Sequence, residues 1–219
     1  MKNNFRLKYS VFIATTFVTL FFLVKVFETL GHVSYANYGI LPQNLSGLKG
    51  ILFAPFIHGS WKHLLSNALP FWSLTVALFY FYPHRAWSVF LTIWFASGLI
   101  VWIIGRDAYH IGASGIIYGL TSFHFFSGLV SGKRESLALS LAVVFLYGSS
   151  IWGMLPSLAF DKSWEAHAAG YFVGFILALK TDREDKNGQK KSKPKNFYDF
   201  SLPDSTYPVD IEYEIKKSC

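Results

Sequence analysis

Four stretches of this chain, residues 63–84, 86–105, 108–132 and 136–160, contain no Asp, Glu, Lys or Arg. A soluble domain, with about a quarter of its residues charged, would interrupt such runs several times. About 20 consecutive apolar residues carry a helix across the hydrocarbon of a bilayer, where a helix satisfies its own backbone polar groups. The chain therefore reads as an all-α membrane protein, a bundle of six transmembrane helices. The expected spans are residues 9–30, 63–82, 86–104, 113–131, 136–152 and 164–179.

The segments between the spans carry their own signals. Residues 31–62 hold Phe53, Phe56, Ile57 and Trp61 beside Pro42 and Pro55, so this first loop is expected to associate with the membrane interface. Lys25 and Glu28, near the far end of the first span, are expected to snorkel to the interface. Composition changes sharply after residue 180. The basic run Lys190-Lys191-Ser192-Lys193-Pro194-Lys195 opens a tail, 181–219, that reads as a disordered cytoplasmic segment. With residues 1–8 inside, the inner segments apart from the tail hold Lys2, Arg6, Lys8, Arg85, Lys133 and Arg134, while the outer loops hold Lys49, Lys62, Arg106 and Lys162. The bias predicts cytoplasmic N- and C-termini around a membrane domain over 9–180. The +7 balance is thus a matter of orientation and not of nucleic-acid binding. Cys219 is the single cysteine, which excludes a disulfide framework and a cysteine-based metal site.

This orientation puts four polar residues from three spans at one depth. Ser114 opens the fourth span inside Gly112-Ala113-Ser114-Gly115. His63 and Asn67 lie in the first turns of the second span, spaced i,i+4 on one face. His167 lies about one turn into the sixth. Each has a plainer reading alone: an interfacial histidine, an interhelical hydrogen bond, or a small-residue packing face at Gly115 and Gly119 or Gly170 and Gly174. Those readings leave the shared depth unexplained, whereas a shared polar cavity accounts for it. In the chemical reading His167 is the general base for a Ser114 nucleophile. His63, Asn67 and the Ser114 N–H form an oxyanion hole. No acidic residue is expected at this depth, so packing must hold the imidazole, with Tyr118 one turn below Ser114 placed to stack on it. Such an activity is expected to fall on acidification, when the base is protonated.

These blocks resemble the rhomboid intramembrane serine proteases. The resemblance rests on Gly112-Ala113-Ser114-Gly115 with Tyr118, on His58 with His63-xxx-Asn67, and on Ala166-His167-xx-Gly170-xxx-Gly174, in family order over roughly residues 8–180. It implies a rhomboid-like six-helix bundle and a catalytic Ser114–His167 dyad with neither metal nor cofactor. It implies oxyanion or substrate-binding roles for His63, Asn67, Gly112, Tyr118 and His58. It also implies transmembrane protein substrates in a lipid bilayer, a capping loop over 153–163 and a lateral gate at the fifth span. The Trp-Arg pair that many family members carry in the first long loop is absent, and Tyr82-Pro83-His84-Arg85 replaces a Glu-containing turn. The short N-terminus suggests a bacterial inner membrane. A membrane-client binder on the same scaffold would not need Ser114. A transporter would need a polar path through the inner halves of the spans, where few polar residues are expected.

Overall fold

The computed structural model describes residues 2–131, 134–148 and 163–192. The chain divides into two compact units, Met1–Glu184 and Asp185–Cys219. In the described residues the longer helices are α1 (Lys2–Leu30), α3 (Trp61–Phe81), α4 (Ala86–Ile104), α5 (Ser114–Ser131), α6 (Arg134–Tyr147) and α7 (Trp164–Ser192), with a single turn, α2 (Gly50–Phe53), in the first loop. There is no strand among the described residues. One isolated antiparallel bridge joins Ile40 to His110. Of the expected features, the end of the fifth span, most of the loop over 153–163 and the tail beyond residue 192 lie outside the described residues. Residues 181–192, expected to be disordered, continue α7 as helix. Arg, Glu, Lys and Gln are good helix formers and need no tertiary support to extend a helix already nucleated.

Among the described residues, three helices are long and apolar enough to cross a membrane by themselves: Asn4–Leu30, Trp61–Phe81 and Ala86–Ile104. α5 is not among them, and its burial explains why. Only 17% of the most apolar window of α1 is buried inside the protein. In α5, 12 of 18 residues are buried, among them Ser114, Thr121, Ser122, His124 and Ser127. A helix wrapped by other helices meets protein on most sides and can carry hydroxyls, whereas an outer helix must match lipid. The half of α5 distant from Ser114 is therefore richer in polar groups than expected. Of these, His124 Nε2 lies 3.0 Å from the Leu74 carbonyl of α3, while the Ser122 and Ser127 hydroxyls are buried without hydrogen-bond partners.

Lipid tails are as apolar as leucine, so helices in a bilayer are held by close packing more than by expulsion of water. The core accordingly consists of interlocked rings. Phe21 of α1 meets Phe71 of α3 edge-on at 4.9 Å, Phe17 meets Phe90 of α4 at 5.2 Å, and Phe56 of the first loop meets Trp94 of α4 at 5.5 Å between centroids. That last contact seats the loop on α4, as do hydrogen bonds from Trp94 Nε1 to the Ile51 carbonyl (2.7 Å) and from Trp102 Nε1 to the Asn44 carbonyl (2.9 Å). Lys25 and Glu28 do not snorkel. They pair at 3.2 Å with side chains 12% and 5% exposed, because both find backbone partners in the loop, described below. Inward pairing replaces the water that snorkelling would have supplied.

Candidate active site

Three helix N-termini meet at one end of the bundle. α3 begins where Ser60 caps it: the Ser60 hydroxyl accepts from the His63 N–H at 3.1 Å. Such a cap stabilises a helix by about 1 kcal/mol and fixes its first residue. From that start His63 and Asn67 face the same way, one turn apart. α5 begins after Gly112, whose φ of +100° only glycine adopts without strain. The turn is held by the Gly112 N–H donating to the Ala54 carbonyl at 2.8 Å. A Cβ on Gly112 would sit 2.8 Å from His63 Cε1 and 3.6 Å from Asn67 Nδ2, so the α3 side chains lie directly against this turn.

α7 supplies His167. Its Nε2 lies 2.9 Å from Ser114 Oγ, with the two residues 8% and 9% exposed. The imidazole stacks on the Tyr118 ring at 4.1 Å between centroids and 6° between planes. A stack of this kind stabilises by about 1 kcal/mol beyond area burial and fixes the ring plane. Accepting from Ser114 through Nε2 requires the tautomer with its proton on Nδ1. A parallel approach of α5 and α7 makes the contact possible. Gly115 and Gly119 of α5 face Gly170 and Gly174 of α7, and a Cβ on Gly170 would collide with the Gly115 carbonyl oxygen. Backbone cannot move aside as a side chain can. Gly170→Val is therefore expected to destabilise the protein by about 3 kcal/mol and to part Ser114 from His167. Thermal unfolding in detergent, beside accessibility of Ser114 to a serine-directed probe, checks both; a wild-type melt would contradict it.

His58 completes the cluster. It is 1% exposed, edge-on to His63 at 5.1 Å, and packed on Phe21 of α1 at 5.4 Å. Burial first, then the neighbouring His63, lowers its pKa to about 3, so it is neutral at any physiological pH. Neither ring nitrogen makes a hydrogen bond of full geometry, and the Phe56 backbone opposes the effect of burial without offsetting it. Asn67 Nδ2 is likewise buried without a partner. The seven residues singled out from the sequence thus form two contact groups, Ser114–His167–Tyr118 and His58–His63–Asn67–Gly112, which the chain from Gly112 to Ser114 joins.

Four other residues brace the same end and were not singled out. Glu165 lies two positions before His167, at a depth where no acid was expected. It faces Arg106, with Nε 3.6 Å from Oε1, instead of the imidazole. His110 Nδ1 meets Ser163 Oγ at 2.6 Å, and His110 Nε2 lies 3.2 Å from the Arg106 carbonyl. Burial pushes the His110 pKa below its ordinary value. Together these contacts tie the α4–α5 connection to the start of α7. The signal available in sequence was the polar turn over 105–110 itself, whose charges an apolar bundle must compensate. Beside the turn, a cavity of about 40 Å³ is lined by Ser97 and Gly98 of α4, His110, Gly112, Gly115 and Ala166 among others. Among the described residues no group of three His, Cys, Asp or Glu side chains is placed to hold a metal ion.

The chain also has relatives. A family model, the Rhomboid domain, matches residues 46–183. An uncharacterized protein of Mycobacterium tuberculosis (strain H37Rv) is 34% identical over 172 residues, covering 74% of this chain and 71% of that protein. One from Mycobacterium leprae (strain TN) is 31% identical over 187 residues, covering 81% of this chain and 74% of its own length. A protein of Acanthamoeba polyphaga mimivirus whose name carries the word rhomboid is 23% identical over 170 residues, 75% of this chain and 88% of its own. The family model covers well over half of the sequence, including every residue of the cluster, and on that ground the chain belongs to the rhomboid family.

Proposed function

We propose that this protein is an intramembrane serine endopeptidase that hydrolyses peptide bonds in or near transmembrane segments of membrane proteins. The observation that carries the reading is the 2.9 Å contact between Ser114 Oγ and His167 Nε2, both almost closed to solvent. In a membrane helix a hydroxyl usually bonds its own backbone, as Thr121 does to the Ile117 carbonyl at 2.8 Å. Ser114, at the first turn of α5, instead meets a ring fixed in plane by Tyr118.

In the proposed reaction His167 Nε2 takes the Ser114 proton as Oγ attacks the substrate carbonyl carbon. Negative charge develops on the carbonyl oxygen. In this reading the Ser114 N–H, His63 and the Asn67 amide donate to that oxygen, which is supported by His63 and Asn67 lying against the Gly112 turn and by the free Asn67 Nδ2, and the N-terminus of α5 adds a favourable field. Collapse of the tetrahedral species breaks the C–N bond, and protonated His167 returns the proton to the leaving amine. Water then enters, His167 removes its proton, and hydrolysis of the acyl-serine restores the enzyme. A peptide bond in a helix is occupied by its own hydrogen bonds, so a substrate segment must unwind locally before attack. That favours segments weakened by small or helix-breaking residues.

The same reading places six spans in a bacterial inner membrane with both termini cytoplasmic and the cluster toward the outer face. The test is labelling of detergent-purified protein with a fluorophosphonate, beside cleavage of a model transmembrane substrate in liposomes. Labelling and cleavage that vanish in Ser114→Ala are expected. Folded wild-type protein that neither labels nor cleaves would favour a client-binding role for the same scaffold.

A further inference from the structure

Lys25 and Glu28 are the only Asp, Glu, Lys or Arg residues between positions 9 and 48. Charges on an apolar helix are costly to retain, and these two are turned inward. Their partners lie at opposite ends of the first loop. Glu28 Oε1 accepts from the Tyr35 N–H at 2.7 Å, near where the loop leaves α1. Lys25 Nζ donates to the His58 carbonyl at 2.9 Å, just before the loop enters α3, and to Glu28 Oε2 at 3.2 Å. One ion pair on α1 thereby closes the loop.

The Lys25 end of this clamp leads to the candidate site. His58, whose carbonyl it holds, is edge-on to His63 at 5.1 Å, and His63 lies against Gly112, two residues before Ser114. The His58 ring nitrogens make no hydrogen bond of full geometry, and the polar contact at the ring is the Phe56 backbone, in the same stretch of loop. The place of His58 depends on packing against Phe21 and on the backbone that Lys25 fixes. We infer that Lys25 is a positioning residue for the proposed reaction: by holding the His58 carbonyl it keeps His58 behind His63, and so keeps His63 at the Gly112 turn. The inference rests on the protease reading for its kinetic consequence, but not for the placement of His63.

Lys25→Met alone would leave Glu28 buried without its counter-charge, which can unfold the chain for reasons unrelated to the site. The test therefore uses Lys25→Met/Glu28→Gln, which removes both charges and leaves an acceptor for the Tyr35 N–H. In this folded double variant kcat for a transmembrane substrate is expected to fall about 10- to 100-fold, as for a small displacement of a reacting group, with KM unchanged. Lys25→Arg, which keeps a cation and donors for both partners, is expected to restore kcat to within about threefold of wild type. In NMR spectra of the double variant the nuclear Overhauser contacts of the His63 ring with His58 and Gly112 are expected to weaken, which loss of a nearby charge alone would not cause, while the contacts of His124 stay in place. An unchanged kcat, or a loss expressed wholly in KM, overturns the inference. Should the wild type show no Ser114-dependent cleavage, the protease reading fails separately. The His63 contacts then decide the positioning role alone: their loss upholds it, and unchanged contacts overturn it.

Discussion

Ser114→Ala is expected to lower kcat/KM for a transmembrane substrate by about 10⁴- to 10⁶-fold, or about 5–8 kcal/mol of barrier. His167→Ala is expected to do nearly the same. The reason is the geometry of one contact. Ser114 Oγ has its acceptor in His167 Nε2 at 2.9 Å, and without that acceptor a hydroxyl at neutral pH is a poor nucleophile. Conversely, an imidazole without the hydroxyl has no proton to move. Each residue acts only through the other, so the double variant Ser114→Ala/His167→Ala is expected to lose about as much as either single one, not the product of both. Residual turnover would reflect the oxyanion donors and binding alone. Progress curves on reconstituted protein of equal thermal stability give the comparison. Losses that multiply would mean that the two residues work independently, and the dyad would have to be abandoned.

Much of this site could be read from the chain because its parts lie at helix starts. Ser60, Gly112 and the small residues around Ser114 mark where α3 and α5 begin, and the depth of each following residue then follows from a 1.5 Å rise. The i,i+4 spacing of His63 and Asn67, and of Gly170 and Gly174, needs no tertiary knowledge. Interhelical ion pairs are different. Glu165 and Arg106 are 59 positions apart in the sequence, and no periodicity tells a carboxylate in the first turn of α7 to face the α4–α5 connection at 3.6 Å. Lys25 illustrates the same limit. A long cationic side chain near a helix end usually reaches for water, and only the path of the first loop reveals a carbonyl within 2.9 Å on the inner side. The membrane-span signal also weakens where a helix is central. α5 is the helix that presents Ser114, yet its buried hydroxyls and His124 leave it without a stretch as apolar as the central window of α1, only 17% of which is buried.

Asn67→Ala should separate function from stability in a way few substitutions can. Asn67 is 6% exposed, and its Nδ2 has no hydrogen-bond partner. A buried donor left unmade disfavours the folded state by about 1–3 kcal/mol relative to a satisfied one. Removing it relieves that penalty and leaves a small cavity in partial exchange. The melting temperature of Asn67→Ala is therefore expected to be unchanged or slightly raised. Catalysis should move the other way. In the proposed reaction the amide finds its acceptor only when the carbonyl oxygen becomes an oxyanion beside Gly112, so its contribution belongs to the transition state. Loss of one such donor lowers kcat by about 10²- to 10³-fold, or about 3–4 kcal/mol, and leaves substrate affinity nearly intact. Kinetics in liposomes and thermal unfolding in detergent decide the matter together. A variant that loses activity only in proportion to lost stability would mark Asn67 as a packing residue. Retention of wild-type kcat would remove it from the oxyanion site, leaving that role to His63 and the Ser114 N–H. Buried hydroxyls without partners also occur away from the cluster, at Thr75, Ser122 and Ser127, so it is the split between kcat and stability, and not the missing partner, that decides the role of Asn67.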